Sequence, residues 1–175
     1  MYVRVVDIAD AEALRAIYNP EVLETTVTFD LEPRTLEQQE EWIREHQGVR
    51  PCLVAVDDEQ FVGEKGARGE RICGFAVLNY FRERPGYTTT VENSVYIHRQ
   101  ARGRGIAELL MRQLITAAKD CGYHSLIARI VGDNAGSIAL HERVGFHLVG
   151  REIEVGRKHG KWLDVVEYQY VIPED

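Results

Sequence analysis

Apolar and polar positions along the chain follow two alternating rhythms. Tyr2 to Val6 alternates, as a half-buried strand does, and Asp7 stands where a helix cap belongs. Ala13, Leu14 and Ile17 then recur at helical spacing, and Pro20 is expected to end that helix. Thr35 with Gln38 forms a capping box ahead of a second helix, which runs through Trp42 and Ile43 and stops near Gly48. Cys52 to Val56 and Ile72 to Tyr80 read as strands, as does Tyr87 to His98 with its Thr, Val and Tyr residues. The stretch 57–71 between the first two is acidic, rich in glycine and without apolar periodicity, so an exposed, mobile hairpin loop is expected there.

In the second half, Gly103 and Gly105 lead into a helix with the stripe Leu109, Leu110, Leu114 and Ala117, closed by Gly122. A strand from Ser125 to Val131, a short helix from Ala135 to Val144 closed by Gly145, and two strands around a turn at Lys158 to Lys161 complete the chain. The order β α α β β β α β α β β shows no repeat and no linker. It predicts a single domain over 1–175, of α/β (α+β) class, whose mixed and mostly antiparallel sheet of six to seven strands contains one βαβ crossover and carries about four helices.

Composition changes this picture little. With 175 residues, 45% hydrophobic and 28% charged, the chain can bury roughly 70% of its unfolded surface without a disulfide or metal. Cys52, Cys73 and Cys121 lie far apart in no metal-binding spacing, and the histidines have none either, so no metal is expected and a reducing cytoplasm is the simplest setting. No apolar run approaches membrane-spanning length, and no signal peptide is apparent.

Charge is more telling. A net charge of −7 argues against nucleic acid as a partner. The total hides an asymmetry, because residues 1–64 hold 15 acids and 5 bases whereas 65–175 hold 13 acids and 16 bases. The local basic cluster is Arg99, Arg102 and Arg104, which flank Gly103 and Gly105 at the start of a helix. Free backbone amides at such a start, with the helix dipole, suit a pyrophosphate. The acids of the first third are expected to lie largely away from this cluster. A P-loop is excluded because Ile106 and Ala107 follow Gly105, and a dinucleotide fingerprint because Glu108 occupies its third small position.

The spacing Gln100, Gly103, Gly105 fits Gln/Arg-x-x-Gly-x-Gly/Ala, and here the chain resembles the GCN5-related N-acetyltransferase (GNAT) superfamily. The segments VENSVYI (91–97), GDNAGSIALHERVGF (132–146), KHGKWLDVVEYQ (158–169) and YNPEVLETTVTFDLEP (18–33) are similar to its phosphinothricin and methionine sulfoximine acetyltransferase branch. The resemblance implies the GNAT fold and acetyl-CoA as cosubstrate, with Gln100, Arg102, Gly103, Arg104, Gly105, Ile106 and Ala107 as its phosphate clamp. It also implies that Val95, Tyr96 and Ile97 offer strand-like backbone groups to the pantetheine arm.

Acetyl transfer to an amine needs a base, since an aliphatic amine is mostly protonated at pH 7. The resemblance places that base at Glu92, and in this branch a histidine, here His141, stands where other members use a tyrosine to protonate the departing thiolate. Asn134 and Ser137 open the short helix and read equally as caps or as contacts to the cofactor arm. An amino-acid acceptor would present a carboxylate for a guanidinium, which makes Arg82 and Arg84 candidates, with Phe29, Tyr87 and Thr89 lining the same pocket. Relatives commonly dimerise, so a homodimer is expected. Two other readings remain open on these residues, a protein N-terminus or polyamine as acceptor, and a noncatalytic acetyl-CoA sensor.

Overall fold

A computed structural model describes residues 1–57, 59 and 61–174. Seven strands and four helices follow the expected order: β1 (Tyr2–Val5), α1 (Ala11–Glu24), α2 (Leu36–Glu45), β2 (Cys52–Val56), β3 (Ile72–Tyr80), β4 (Thr90–Ile97), α3 (Ile106–Asp120), β5 (Ser125–Val131), α4 (Ala135–Arg143), β6 (His147–Lys158) and β7 (Lys161–Val171). They build one sheet in the order β1-β2-β3-β4-β5-β7-β6. Its pairs are antiparallel except β4 with β5, which α3 joins as the crossover. Among the described residues no helix is long and apolar enough to cross a membrane.

Side chains of the central strands alternate between the two faces, and each face has its own core. Leu53, Ala55, Ala76 and Leu78 pack with Leu110, Met111 and Leu114 of α3. Cys52, Val54, Val56, Phe75 and Val77 pack with Leu14, Ile17 and Val22 of α1 and Ile43 of α2. With helices on both faces, β2 is buried along its whole length, hence its unbroken apolar run.

What positions the site is a split in the sheet. Pairing of β4 with β5 runs from Thr90↔Ser125 to Glu92↔Ile127 and goes no further. Beyond Glu92 the two strands diverge, so 93–97 and 128–131 become the walls of an opening, their facing backbone groups freed from the ladder.

Three expectations need correction. Pro20 lies inside α1 and does not end it. Its missing N–H costs one hydrogen bond, but the turn beyond it is fixed by Val22 in the core and by Glu21, which is buried and bridged to Arg99 and Arg102. The strand expected from Tyr87 begins at Thr90, because Pro85–Tyr87 forms a 3-10 turn. The stretch 57–71, two residues of which lie outside those described, is anchored where a mobile loop was expected. Phe61 is buried with its ring 4.8 Å from that of His98, and the Ala67 amide donates to Asp10 Oδ1 at 2.8 Å.

Candidate active site

A cleft of about 680 Å³ fills the split between β4 and β5 and extends over the start of α3 and along α4. Its lining includes Val95, Tyr96 and Ile97 on one side, Arg102, Gly103, Gly105, Ile106 and Ala107 at the end, and Asn134, Ser137 and His141 opposite. The residues expected to hold the cosubstrate are thus gathered round one space, with two exceptions. Gln100 sits exposed on the short 3-10 turn Arg99–Ala101, outside the lining, and Arg104 pairs with the buried Asp57.

Gly103 and Gly105 have φ of 77° and 76°. A Cβ would meet nothing within 4 Å at either, so the positive φ, and not lack of room, calls for glycine. Gly105 is the N-cap of α3 and makes no side-chain cap, which leaves the first amides of the helix to an anion. This turn suits a diphosphate.

The arginines contribute less free charge than the sequence suggests. Glu21 Oε1 accepts from Arg99 Nε and Arg102 Nη2, both at 2.9 Å, while Glu24 holds Arg99 Nη1 at 2.5 Å. With Asp57 on Arg104, each base of the cluster meets an acid from the first third of the chain. The acids expected to lie apart are therefore packed against the clamp, and anion binding there rests mainly on backbone amides.

Below the cleft lies a smaller cavity of about 290 Å³ that shares Val27, Ser94, Tyr96, Arg129 and Val131 with it. Glu92 lines this cavity, at the point where the β4–β5 ladder ends. Burial raises its pKa above the ordinary glutamate value; Arg129 works against that rise, and Glu167 and Glu152 add to it. A carboxylate tuned upward and placed beside the cleft suits proton abstraction.

Of the expected acceptor-binding residues, Phe29 lines this cavity and Arg82, Arg84, Tyr87 and Thr89 do not. In the single chain these four sit on the surface turn before β4, where the Arg82 guanidinium lies 4.8 Å from the Phe81 ring centroid and 5.4 Å from that of Tyr87. The Thr89 carbonyl is taken by the amides of His124 and Ser125. The cavity is lined instead by Tyr18, Asp30, Arg34, Trp42 and Asn79, among others. The sequence offered one signal for them, an isolated arginine, Arg34, directly before the capping box.

His141 is buried, and its Nδ1 lies 2.8 Å from the Ser137 carbonyl, which can only accept, so the ring hydrogen is on Nδ1. Nε2 lies 2.9 Å from Asn93 Nδ2, whose amide oxygen is buried without a partner. Burial lowers the pKa of the ring, and the hydrogen bond to Ser137 only partly offsets this. Asn134 caps α4 by accepting from the Ser137 amide at 3.2 Å, so its capping role is present while it also lines the cleft.

Comparison with known proteins decides the family. The model of the acetyltransferase (GNAT) domain matches residues 3–166. The chain belongs to the GNAT acetyltransferase family. This GNAT protein is 38% identical to a phosphinothricin N-acetyltransferase of Streptomyces coelicolor, over 91% of its own length and 90% of the relative's. It is 37% identical to an L-methionine sulfoximine/L-methionine sulfone acetyltransferase of Pseudomonas paraeruginosa, over 95% and 92%. Among solved structures, an acetyltransferase of Salmonella typhimurium with its cofactor acetyl-CoA superposes with a TM-score of 0.89 at 33% identity, covering 100% of this chain and 95% of that one. The GNAT fold, acetyltransferase activity and acetyl-CoA as cosubstrate follow, and the cleft at the split strands fits that cosubstrate through its diphosphate turn and its freed strand groups.

Proposed function

We propose that this enzyme transfers the acetyl group of acetyl-CoA to the α-amine of a small free amino acid or analogue, of the phosphinothricin or methionine sulfoximine kind, by direct attack. The observation that carries this reading is Glu92, a glutamate of raised pKa lining a 290 Å³ cavity that shares a wall with the cosubstrate cleft. That volume suits an amino acid. The names of the relatives point the same way.

In the mechanism, Glu92 takes one proton from the bound ammonium and frees its lone pair. The nitrogen forms its bond to the thioester carbonyl carbon, and the carbon–sulfur bond breaks as the thiolate leaves. The nitrogen loses a further proton in becoming an amide, and that proton neutralises the thiolate. Lining the same cleft, His141 is the side chain through which that proton passes to the sulfur. The cosubstrate is held by the Gly103–Ala107 turn and by the open edge of β4 at Val95–Ile97.

The test is release of free thiol from acetyl-CoA with a panel of amino acids, a short peptide and spermidine. We expect turnover with methionine sulfone, methionine sulfoximine or phosphinothricin to exceed that with peptide or spermidine by at least about tenfold in kcat/KM. Preference for peptide or spermidine overturns the reading.

The working unit is a homodimer. Support comes from the sheet edge, where β6 exposes Leu148, Val149, Ile153 and Val155, and Trp162 is exposed on the partner strand of the same hairpin. Sedimentation at micromolar concentration is expected to give twice the 20.0 kDa chain mass; the mass of a single chain contradicts it.

A further inference from the structure

Glu92 stands among charges that four strands bring to one face of the sheet. Side chains alternate along a strand, so the pairing register tells which of them share a face. Glu92 of β4 is paired with Ile127 of β5, and Arg129 follows two residues on, on the same face. Glu167 of β7 is opposite Arg129, and Glu152 of β6 is opposite Val165, which is in turn opposite Val131. That face therefore brings together three carboxylates, Glu92, Glu167 and Glu152, and one guanidinium, Arg129.

Arg129 lines both the cosubstrate cleft and the acceptor cavity, just beyond the point where the β4–β5 ladder ends, and Glu92 lines the second of these spaces. Its Nη2 is ion-paired with Glu152, which comes from the edge strand of the sheet. The two side chains are 36% and 45% exposed, and a pair so open to water adds little to stability. The other charged groups lining the cavity, Asp30 and Arg34, are paired with each other, and the rest of its polar lining is uncharged. Glu92 thus has one cation on its own face of the sheet, and that cation is shared with a second carboxylate. An opposite charge nearby favours the ionised form of a carboxyl, and a like charge disfavours it. In line with this placement, burial is the main cause that raises Glu92, Arg129 works against it, and Glu167 and Glu152 add to it.

We propose that Arg129 and Glu152 are positioning residues for the base and act on it in opposite senses: the guanidinium holds Glu92 ready to take a proton, and Glu152 restrains that effect by drawing the guanidinium toward the sheet edge. This assignment rests on the reading of Glu92 as the base and adds what sets the pH at which it works.

The test is the pH profile of kcat/KM for L-methionine sulfone, measured by thiol release in the wild type, Arg129→Gln, Glu152→Gln and Glu92→Gln. The position of the acid limb on the pH axis does not depend on how much of the enzyme is folded. Arg129→Gln removes the cation, and its limb is expected to move to higher pH by about half a unit or more. Glu152→Gln removes an anion and releases the cation, and its limb is expected to move to lower pH. A pair that merely ties two strands together is broken equally from either side, and would displace the limb in one sense in both variants or in neither. The carboxyl carbon resonance of Glu92, assigned by its absence in Glu92→Gln, is expected to titrate with the same two displacements in the enzyme without substrates. Shifts of the same sign, or a shift missing from either variant, overturn the assignment. A limb that persists in Glu92→Gln refutes Glu92 as the base, and the assignment falls with it.

Discussion

Glu92→Gln is expected to lower kcat/KM for the amino-acid acceptor by roughly 100-fold or more at neutral pH, the usual range for removing a general base. The amide fills the same space and keeps its place on β4, so what is removed is the site that takes the proton. The wild-type profile should rise with pH through the pKa of Glu92, which burial sets above the ordinary value of 4.5. The variant should lack that limb. A fall of the wild-type rate at higher pH that is lost in His141→Ala would mark His141 as the proton donor.

The same residue makes a stability prediction of known sign. A carboxyl whose pKa is raised on folding stabilises the protein while protonated, and that contribution is lost as pH rises through the folded pKa. At pH 7, then, Glu92 is a burden on the fold, and Glu92→Gln is expected to raise Tm while abolishing most of the activity. The gain should vanish below about pH 4, where glutamate too is neutral. Differential scanning calorimetry of the two proteins at both pH values checks this, and a lower Tm for the variant at pH 7 contradicts it.

Asp10→Ala is expected to produce the largest loss of stability, about 3–5 kcal/mol. Asp10 is fully buried, and its two oxygens accept from Arg4 Nη1 at 2.7 Å, Arg4 Nη2 at 2.9 Å, the Asp7 amide at 2.8 Å and the Ala67 amide at 2.8 Å. Burial on its own would raise this carboxyl, yet Arg4 and the two amides more than compensate and hold it below its usual range. Its contribution is therefore complete above the unfolded pKa, near 3.9, and fades as pH falls through the folded value. Truncation leaves Arg4 with only Glu70 and the Val5 carbonyl among its described partners and leaves the Ala67 amide without its acceptor. Urea unfolding at pH 7 should show a lower midpoint with an unchanged slope, and Asp10→Asn, which keeps the volume, a smaller loss. A midpoint unaltered in Asp10→Ala would mean that this carboxylate does not anchor the 57–71 stretch.

The fold was legible wherever local chemistry decides it. The Thr35–Gln38 capping box, the apolar stripe of α3 and the unbroken apolar β2 each specify their element without help from distant residues. That the glycine turn and the strand before it would border one cleft was legible for the same reason, since they are contiguous in sequence. Interactions between distant segments were not. Pro20 stays helical because Glu21 meets Arg99 and Arg102 some 80 positions on, and the 57–71 stretch is ordered by Asp10 and His98. Net charge by segment pointed to the basic cluster, yet could not show that Glu21, Glu24 and Asp57 cover it. The acceptor cavity has the same character, because α1, the segment 27–34, α2, β3, β4, β5 and β7 each contribute to it and no short motif spans them.

The central claim is transfer of one acetyl group to the α-nitrogen of a free amino acid. It is tested most directly by identifying the product by NMR and mass spectrometry after reaction of the full-length enzyme with acetyl-CoA and L-methionine sulfone, while free thiol is counted in the same sample. The Nα-acetyl compound should appear in a one-to-one ratio with free thiol. Thiol released without acetylated amino acid, or acetyl found at any other atom, would contradict it.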